Sequence, residues 1–182
     1  MLVPFPVDQG NEEAVVWREG LRHTLLNALL VPPEAGETEF CDTKAAYEAL
    51  PAWRKAEIDN LTAVHSLANS RRFAVTGGVF DEIENARYPA QNQPLIRVHE
   101  GPGRRALYIG PHAGGIVGME PEAGVVLLED LLAHATQPRF VYRHRRRVGD
   151  LAMWDNRVTL HRALPFDKLR VKRDLRRADL QA

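Results

Sequence analysis

The segment Gly149-Asp-Leu-Ala-Met-Trp-Asp-Asn-Arg-Val-Thr-Leu-His161 places a histidine after a short apolar stretch and a polar turn. A basic run, Arg170-Val-Lys-Arg-Asp-Leu-Arg-Arg177, follows shortly afterwards. An imidazole can ligate a metal, and a guanidinium can bind a carboxylate through two parallel hydrogen bonds. Together the two segments predict a metal ligand beside an anion-binding strand.

Length and charge limit the classes of protein that fit. The 182 residues are enough for one domain with a sizeable core, so we expect a single domain over residues 1–182. The 24 basic residues balance the 24 acidic ones, so no overall field favours nucleic acid or an anionic membrane. Arg143-His-Arg-Arg-Arg147 is a local basic run, which in a neutral protein is typical of a solvated turn.

Cysteine content and hydropathy indicate the compartment. The only cysteine, Cys41, excludes an internal disulfide and a multi-cysteine zinc site, which favours a reducing cytoplasm. The first eight residues lack the pattern of a signal peptide, and no apolar stretch has the length that spans a bilayer. We therefore expect a cytoplasmic protein without a nucleic-acid or membrane partner.

Local patterns predict a mainly β fold with flanking helices (α+β). An apolar run over residues 23–31 stops at Pro32-Pro33 and predicts a buried strand, followed by a turn-rich connection to Phe40. Helices are predicted over residues 42–50, with Asp42 as N-cap, 52–61 and 121–134. Short strands are predicted over residues 95–98, 105–109, 139–143, 151–154, 159–163 and 169–175. Many short strands with few helices between them favour a jelly roll over a doubly wound α/β sheet.

Two motifs carry a resemblance to a known family. Trp154-Asp-Asn-Arg157 with His161, and Val31-Pro-Pro-Glu-Ala-Gly-Glu-Thr-Glu-Phe-Cys-Asp42, resemble segments of the TauD/TfdA family of Fe(II)/2-oxoglutarate-dependent dioxygenases. The resemblance implies a double-stranded β-helix (jelly roll). It covers the C-terminal portion of the family domain, so we expect the jelly roll to be incomplete at its N-terminal side.

The resemblance also implies a set of site residues. His161 falls at the third ligand of the iron, Thr38 and Arg173 fall at contacts of 2-oxoglutarate, and Arg177 falls at a contact of the substrate or cosubstrate anion. At the family's separation from Thr38, Asn11 and Glu13 replace the expected His-x-Asp pair of metal ligands. Two of the three metal-ligand positions are therefore altered: a neutral amide replaces an imidazole, and Glu13 keeps a carboxylate with one more methylene.

These residues leave more than one function open. The family implies a dioxygenase that uses Fe(II) and oxygen to convert 2-oxoglutarate to succinate while it oxidises a small anionic substrate. For activity, the altered ligands favour the alternative of a truncated, inactive relative that at most binds a dicarboxylate. One half of a split protein is a further alternative. Strands missing from a jelly roll would expose a sheet edge and apolar surface, which predicts a homo-oligomer or an N-terminal partner chain.

Overall fold

The computed structural model of the protein describes residues 22–71, 86, 88–99, 103–167 and 169–180. Strands dominate these residues, and all strand pairs are antiparallel. The strands are β1 (His23–Leu30), β2 (Thr38–Asp42), β3 (Thr62–His65), β4 (Gln91–Pro94), β5 (Ile96–Val98), β6 (Arg105–Leu107), β7 (Ala113–Ile116), β8 (Val141–His144), β9 (Leu151–Asp155), β10 (Thr159–Ala163) and β11 (Asp174–Leu180). The α-helices with described bounds are α1 (Thr43–Glu48), α2 (Ala52–Ile58), α3 (Leu67–Arg71) and α4 (Pro121–Ala135).

The first sheet has the strand order β11-β1-β9 and is called the β1 sheet below. Its central strand is the apolar run that precedes Pro32-Pro33, as the sequence predicts. The register sets Thr24 opposite both Asp179 and Trp154, and Leu26 opposite Arg177. Because side chains alternate along a strand, these residues share one face of the β1 sheet.

The second sheet has the order β10-β2-β8 and is called the β2 sheet. Its register pairs His161 with Phe40 and Ala163 with Thr38. The face that carries these residues meets the β1 sheet, since the Trp154 ring lies 5.1 Å from the Phe40 ring. We call it the inner face of the β2 sheet.

The opposite face of the β2 sheet packs on the helices. Cys41 is fully buried there and joins a core formed with α1, α4 and the β5–β6 hairpin, including Ile58, Leu107 and Leu131. The Cys41 thiol donates a hydrogen bond to the Ala135 carbonyl, and burial raises its pKa to about 12. The core thus holds one face of β2 while the other face remains available for a site.

The remaining strands form a β4-β3-β7 sheet and the two-stranded β5-β6 hairpin. Helix α4 packs against β7, where Gly124 allows close approach: a Cβ there would lie 3.0 Å from the Ile116 backbone nitrogen. Within the described part of the chain, no helix is long and apolar enough to cross a bilayer.

Three predicted elements differ from the structure. The predicted connection up to Phe40 contains the start of β2 at Thr38, because partners on β8 and β10 hydrogen-bond to it. The predicted strand over 139–143 begins with a 3₁₀ helix, Pro138–Phe140, since proline at its first position favours a turn. The predicted strand over 169–175 lies instead at Asp174–Leu180, where the backbone pairs with β1.

Candidate functional site

His161 lies on the inner face, beside the aromatic ring of Trp154 and near that of Phe40. Its ring centroid is 4.7 Å from that of Trp154 and 6.4 Å from that of Phe40, and the side chain is half-buried. The contacts with these two rings limit the orientations that the imidazole can adopt. The histidine singled out by the sequence is therefore held between the two sheets, where a ligand can be shielded from water.

Thr38 shares this inner face with His161. It lies diagonally across the β2–β10 pair, at the distance of about 7–8 Å that is typical of such neighbours. The Thr38 side chain is only 3% exposed, and its Oγ1 accepts a hydrogen bond of 2.6 Å from Nη2 of Arg146. A buried hydroxyl and a guanidinium therefore stand together on the same face as the imidazole.

Arg173 reaches the same segment of chain from the other end of the sequence. Its Nη1 donates to the Gly36 carbonyl at 3.4 Å, and its guanidinium stacks on the Phe166 ring at 4.8 Å. Gly36 has φ of +76°, a conformation that favours glycine, and it turns the chain into β2. Arg173 thus contacts the turn that leads into β2, two residues before Thr38.

Arg177 lies on the β1 sheet, opposite Leu26. Its Nε donates to the Asp179 carboxylate at 3.0 Å, and Asp179 also accepts from the Thr24 hydroxyl at 2.6 Å. The charge of Arg177 is therefore partly balanced by its neighbour. Arg173 precedes β11 by one residue, so Arg177 lies within the strand and Arg173 just before it.

The Trp-Asp-Asn-Arg motif forms a network that supports His161. Trp154 Nε1 donates to Asn156 Oδ1, and Asn156 Nδ2 donates to Thr24 Oγ1. Asp155 accepts from the Arg157 guanidinium at 2.7 and 2.9 Å and contacts His99 at 3.0 Å. Burial acts to raise the pKa of Asp155, but these hydrogen bonds hold it below its ordinary value. The motif ties the turn before β10 to the β1 sheet.

Glu39 anchors the same strands from the opposite face. Its carboxylate is 5% exposed and binds Arg143 of β8 and Arg162 of β10, with shortest distances of 2.7 and 2.6 Å. Burial acts to raise the pKa of Glu39, but the two arginines lower it below its ordinary value. Glu39 therefore holds the neighbours of Thr38 and His161 in register.

Two further histidines lie away from this face. His65 is 4% exposed and stacks on Tyr108 at 5.0 Å, and burial, with the nearby charges of His112 and Arg97, lowers its pKa to about 4. Burial also lowers the pKa of His112 to about 4. Both imidazoles are neutral near pH 7 and belong to the packing around β3 and β7.

Of the three predicted metal-ligand positions, Asn11 and Glu13 lie outside the described residues. Among the residues that are described, no group of three or more His, Cys, Asp and Glu side chains could hold a metal ion. Of the predicted ligands, the described part of the site contains His161.

A pocket of about 330 Å³ adjoins the β1–β2 connection. It is lined by residues 31–37 together with Arg145 and Arg146. Glu34 and Glu37 offset the positive charge of the two arginines. Arg146 therefore contacts both this pocket and the hydroxyl of Thr38.

A family model described as "Taurine catabolism dioxygenase TauD, TfdA family" matches residues 15–178. The chain belongs to the TauD/TfdA family. It is 48% identical over 157 residues to the α-ketoglutarate-dependent 2,4-dichlorophenoxyacetate dioxygenase of Cupriavidus pinatubonensis, covering 86% of this chain and 54% of that protein. It is 37% identical to the (S)-phenoxypropionate/α-ketoglutarate dioxygenase of Sphingobium herbicidovorans, covering 79% of this chain and 52% of that protein. The chain thus spans about half the length of these relatives.

A solved structure agrees with this assignment. The crystal structure of AAD-2 in complex with Mn(II) and N-oxalylglycine superposes with a TM-score of 0.86 at 40% identity, covering 93% of this chain and 66% of that one. The predicted mainly β, jelly-roll fold is therefore confirmed, over part of the family's length. TauD/TfdA membership implies Fe(II) and 2-oxoglutarate (α-ketoglutarate) as cofactors.

The described residues fit the two cofactors unequally. The hydroxyl of Thr38 and the guanidinium group of Arg173 are donors suited to a carboxylate of 2-oxoglutarate. Toward a metal, the predicted set contributes the imidazole of His161 from the described part of the chain. These residues thus suit the organic anion and do not by themselves complete a metal centre.

Sequence reasoning assigned no role to Arg146 or Glu39. The run over residues 143–147 is typical of a solvated turn, yet Arg143 binds Glu39 and Arg146 binds Thr38. The alternation of side chains along an extended chain offers a signal. Residue 146 lies two positions after His144, which pairs with Thr38, so both side chains are expected on the same face as Thr38. For Glu39, the sequence offers a single signal, an acidic residue directly before the apolar pair Phe40-Cys41.

Proposed function

We propose that this chain is a 2-oxoglutarate-dependent dioxygenase that oxidises a small organic anion. Iron and oxygen supply the oxidising chemistry when bound, with 2-oxoglutarate giving succinate. His161 serves as a metal ligand, Thr38 and Arg173 bind 2-oxoglutarate, and Arg177 contacts an anionic group of the substrate or cosubstrate. In the sequence, Asn11 and Glu13 fall at the family's other two metal-ligand positions.

One observation carries the proposal: Thr38 and His161 lie on the same inner face, diagonally across adjacent strands. A separation of about 7–8 Å suits a ligand with an anionic group at each end. The donors around residues 36–38 would hold one end, which directs the other toward His161. The aromatic rings of Trp154 and Phe40 would exclude water from the space near the imidazole.

The relatives suggest the class of substrate to test first. Two relatives are named for 2,4-dichlorophenoxyacetate and (S)-phenoxypropionate, and another is an α-ketoglutarate-dependent sulfate ester dioxygenase from Pseudomonas putida. All these substrates carry an anionic group. We therefore expect an aryloxyalkanoate to be oxidised in preference to a neutral analogue.

The test is succinate release from 2-oxoglutarate by the full chain with Fe(II), ascorbate and 2,4-dichlorophenoxyacetate. We expect turnover that depends on the aryloxyalkanoate and falls by at least about 100-fold in His161→Ala, because loss of a metal ligand removes the reacting centre. His134→Ala is a matched control, since that imidazole contacts the Ala46 carbonyl, on the helical side. Equal turnover by wild type and His161→Ala would reject the assignment of His161.

A second function is favoured by one observation, the amide of Asn11 in place of a metal-binding imidazole. In that case the chain is an inactive relative that binds a dicarboxylate, or it acts with a partner chain that supplies the missing ligands. Binding of 2-oxoglutarate without succinate release would support this second function. Turnover regained on mixing with a partner chain would point to the split protein.

We also propose a single domain, a cytoplasmic location and a self-association surface. The buried thiol of Cys41 suits a reducing compartment. On the face of the β1 sheet directed away from the β2 sheet, Leu151, Met153 and Leu180 are 61%, 64% and 49% exposed. Such a surface favours association with a second copy or another chain. Light scattering at micromolar concentration would reveal the oligomer, and a monodisperse monomer would contradict it.

A further inference from the structure

Arg146 lies beside the proposed 2-oxoglutarate contacts without an assigned role in them. It lies two residues after His144, which pairs with Thr38. Since alternate residues of an extended chain share a face, Arg146 lies on the inner face together with His161. Its side chain is half-buried, although its neighbours Arg145 and Arg147 are exposed. A cation is therefore turned into the site from the basic run at residues 143–147.

The hydrogen bond between Arg146 and Thr38 has a direction. A guanidinium has donors only, so Thr38 Oγ1 must accept from Arg146 Nη2. The hydroxyl hydrogen of Thr38 is then directed elsewhere, and a carboxylate oxygen is a suitable acceptor. Arg146 thus prepares Thr38 as a donor and adds a positive charge next to it.

Arg173 supplies a second cation at the same segment. Its guanidinium contacts the carbonyl of Gly36, two residues before Thr38. A carboxylate at Thr38 would be flanked by two guanidinium groups, each able to form a charge-assisted hydrogen bond. The adjoining pocket is less suitable for an anion, because Glu34 and Glu37 also line it.

We propose that Arg146 is a third carboxylate-binding group, which holds the distal carboxylate of 2-oxoglutarate together with Thr38 and Arg173. The identity of the ligand rests on the proposed function. The arrangement makes the site selective for a dicarboxylate, because a monocarboxylic oxo acid has no group for these three donors.

The test compares Arg146→Gln with Arg145→Gln by isothermal titration calorimetry of the full chain in the presence of Mn(II). Both variants lose one positive charge from neighbouring positions, but only Arg146 bonds Thr38. We expect Arg146→Gln to weaken 2-oxoglutarate binding by about tenfold or more and Arg145→Gln by less than about threefold. Affinity for 2-oxopentanoate, which has the same chain length without the distal carboxylate, should be equal in the two variants.

A second variant separates binding from folding. Thr38→Val removes the hydroxyl, and combining it with Arg146→Gln should weaken binding by less than the product of the two single effects, because the pair acts as a unit. Thermal unfolding without ligand checks that each variant folds. If Arg146→Gln proves unstable, Arg146→Lys replaces it in the test. Because lysine keeps the charge but not the planar guanidinium, this variant should retain part of the wild-type affinity.

The outcomes distinguish this inference from the proposed function. If Arg146→Gln binds 2-oxoglutarate as tightly as Arg145→Gln does, the role of Arg146 is overturned and the dioxygenase proposal stands. The same holds if Arg146→Gln weakens the binding of 2-oxopentanoate as much as that of 2-oxoglutarate. If binding behaves as expected without succinate release, the dioxygenase proposal fails and Arg146 keeps its role. A wild-type chain that binds no 2-oxoglutarate overturns both.

Discussion

Replacement of Glu39 by glutamine tests whether the strands of the site are held by a buried carboxylate. Removing one partner of a fully buried ion pair costs about 3–5 kcal/mol. The side chains of Arg143 and Arg162 are 52% and 28% exposed, so both can regain water when the carboxylate is lost. We therefore expect Glu39→Gln to lower the free energy of unfolding by about 2 kcal/mol at pH 7.

The same variant predicts a pH dependence. The arginines hold the pKa of Glu39 below its ordinary value of 4.5, so the unfolded carboxyl binds a proton at a higher pH than the folded one. The stabilisation is complete above the unfolded pKa and is lost as the pH falls through the folded value. The difference between wild type and Glu39→Gln should therefore shrink between pH 5 and pH 3.

The assay is urea unfolding followed by tryptophan fluorescence, repeated over that pH range. Glu48→Gln is the matched control, because Glu48 also pairs with an arginine, Arg104, but at the surface, where such pairs contribute little. Its unfolding curve should overlay that of wild type. If Glu39→Gln were as stable as Glu48→Gln at pH 7, or if its deficit were unchanged at pH 3, Glu39 would not hold the strands as argued.

Two further predictions concern the turn into β2 and a buried histidine. Gly36→Ala should lower the free energy of unfolding by about 1–2 kcal/mol, because φ is +76° and a Cβ would lie 3.3 Å from the Phe166 ring. The measurement is urea unfolding, and Gly115→Ala, which has open space around its Cβ, is the control. Equal stability of the two variants would refute the strain at residue 36. Protonation of His65, with its pKa lowered to about 4, should cost about 1.4 kcal/mol per pH unit as the pH falls from 6.5, up to about 3 kcal/mol. His65→Asn, which does not titrate, should show a correspondingly shallower fall in unfolding free energy with pH, and an unchanged slope would assign the effect to other groups.

Local patterns were sufficient for the elements that carry their own signals. Helix α4 begins with Pro121 and has apolar residues at helical spacing, and α1 begins after the N-cap Asp42, whose Oδ1 accepts from the backbone of Lys44 and Ala45. Strand β1 is an apolar run ended by prolines. In each case the decisive interactions lie within a few residues of one another.

Elements stabilised by distant partners were missed or misplaced. In β2, Glu39 breaks the apolar pattern because its charge is balanced by arginines 104 and 123 residues further along the chain. Strand β11 has mainly charged and exposed residues, and its position is fixed by backbone pairing with β1. Motifs were enough to predict His161, Thr38 and Arg173 as candidate site residues, whereas the position of Arg146 beside Thr38 needed the β2–β8 register to be known.

The junction between β2 and α1 contains no loop, since Asp42 is both the last residue of the strand and the N-cap of the helix. Sliding β2 by one residue along β10 would turn Thr38 to the opposite side and would also pull the cap off α1. The N-cap of α1 therefore fixes the register in which β2 pairs with β10. An insertion or deletion between residues 38 and 43 should therefore abolish ligand binding while leaving the rest of α1 and its core intact.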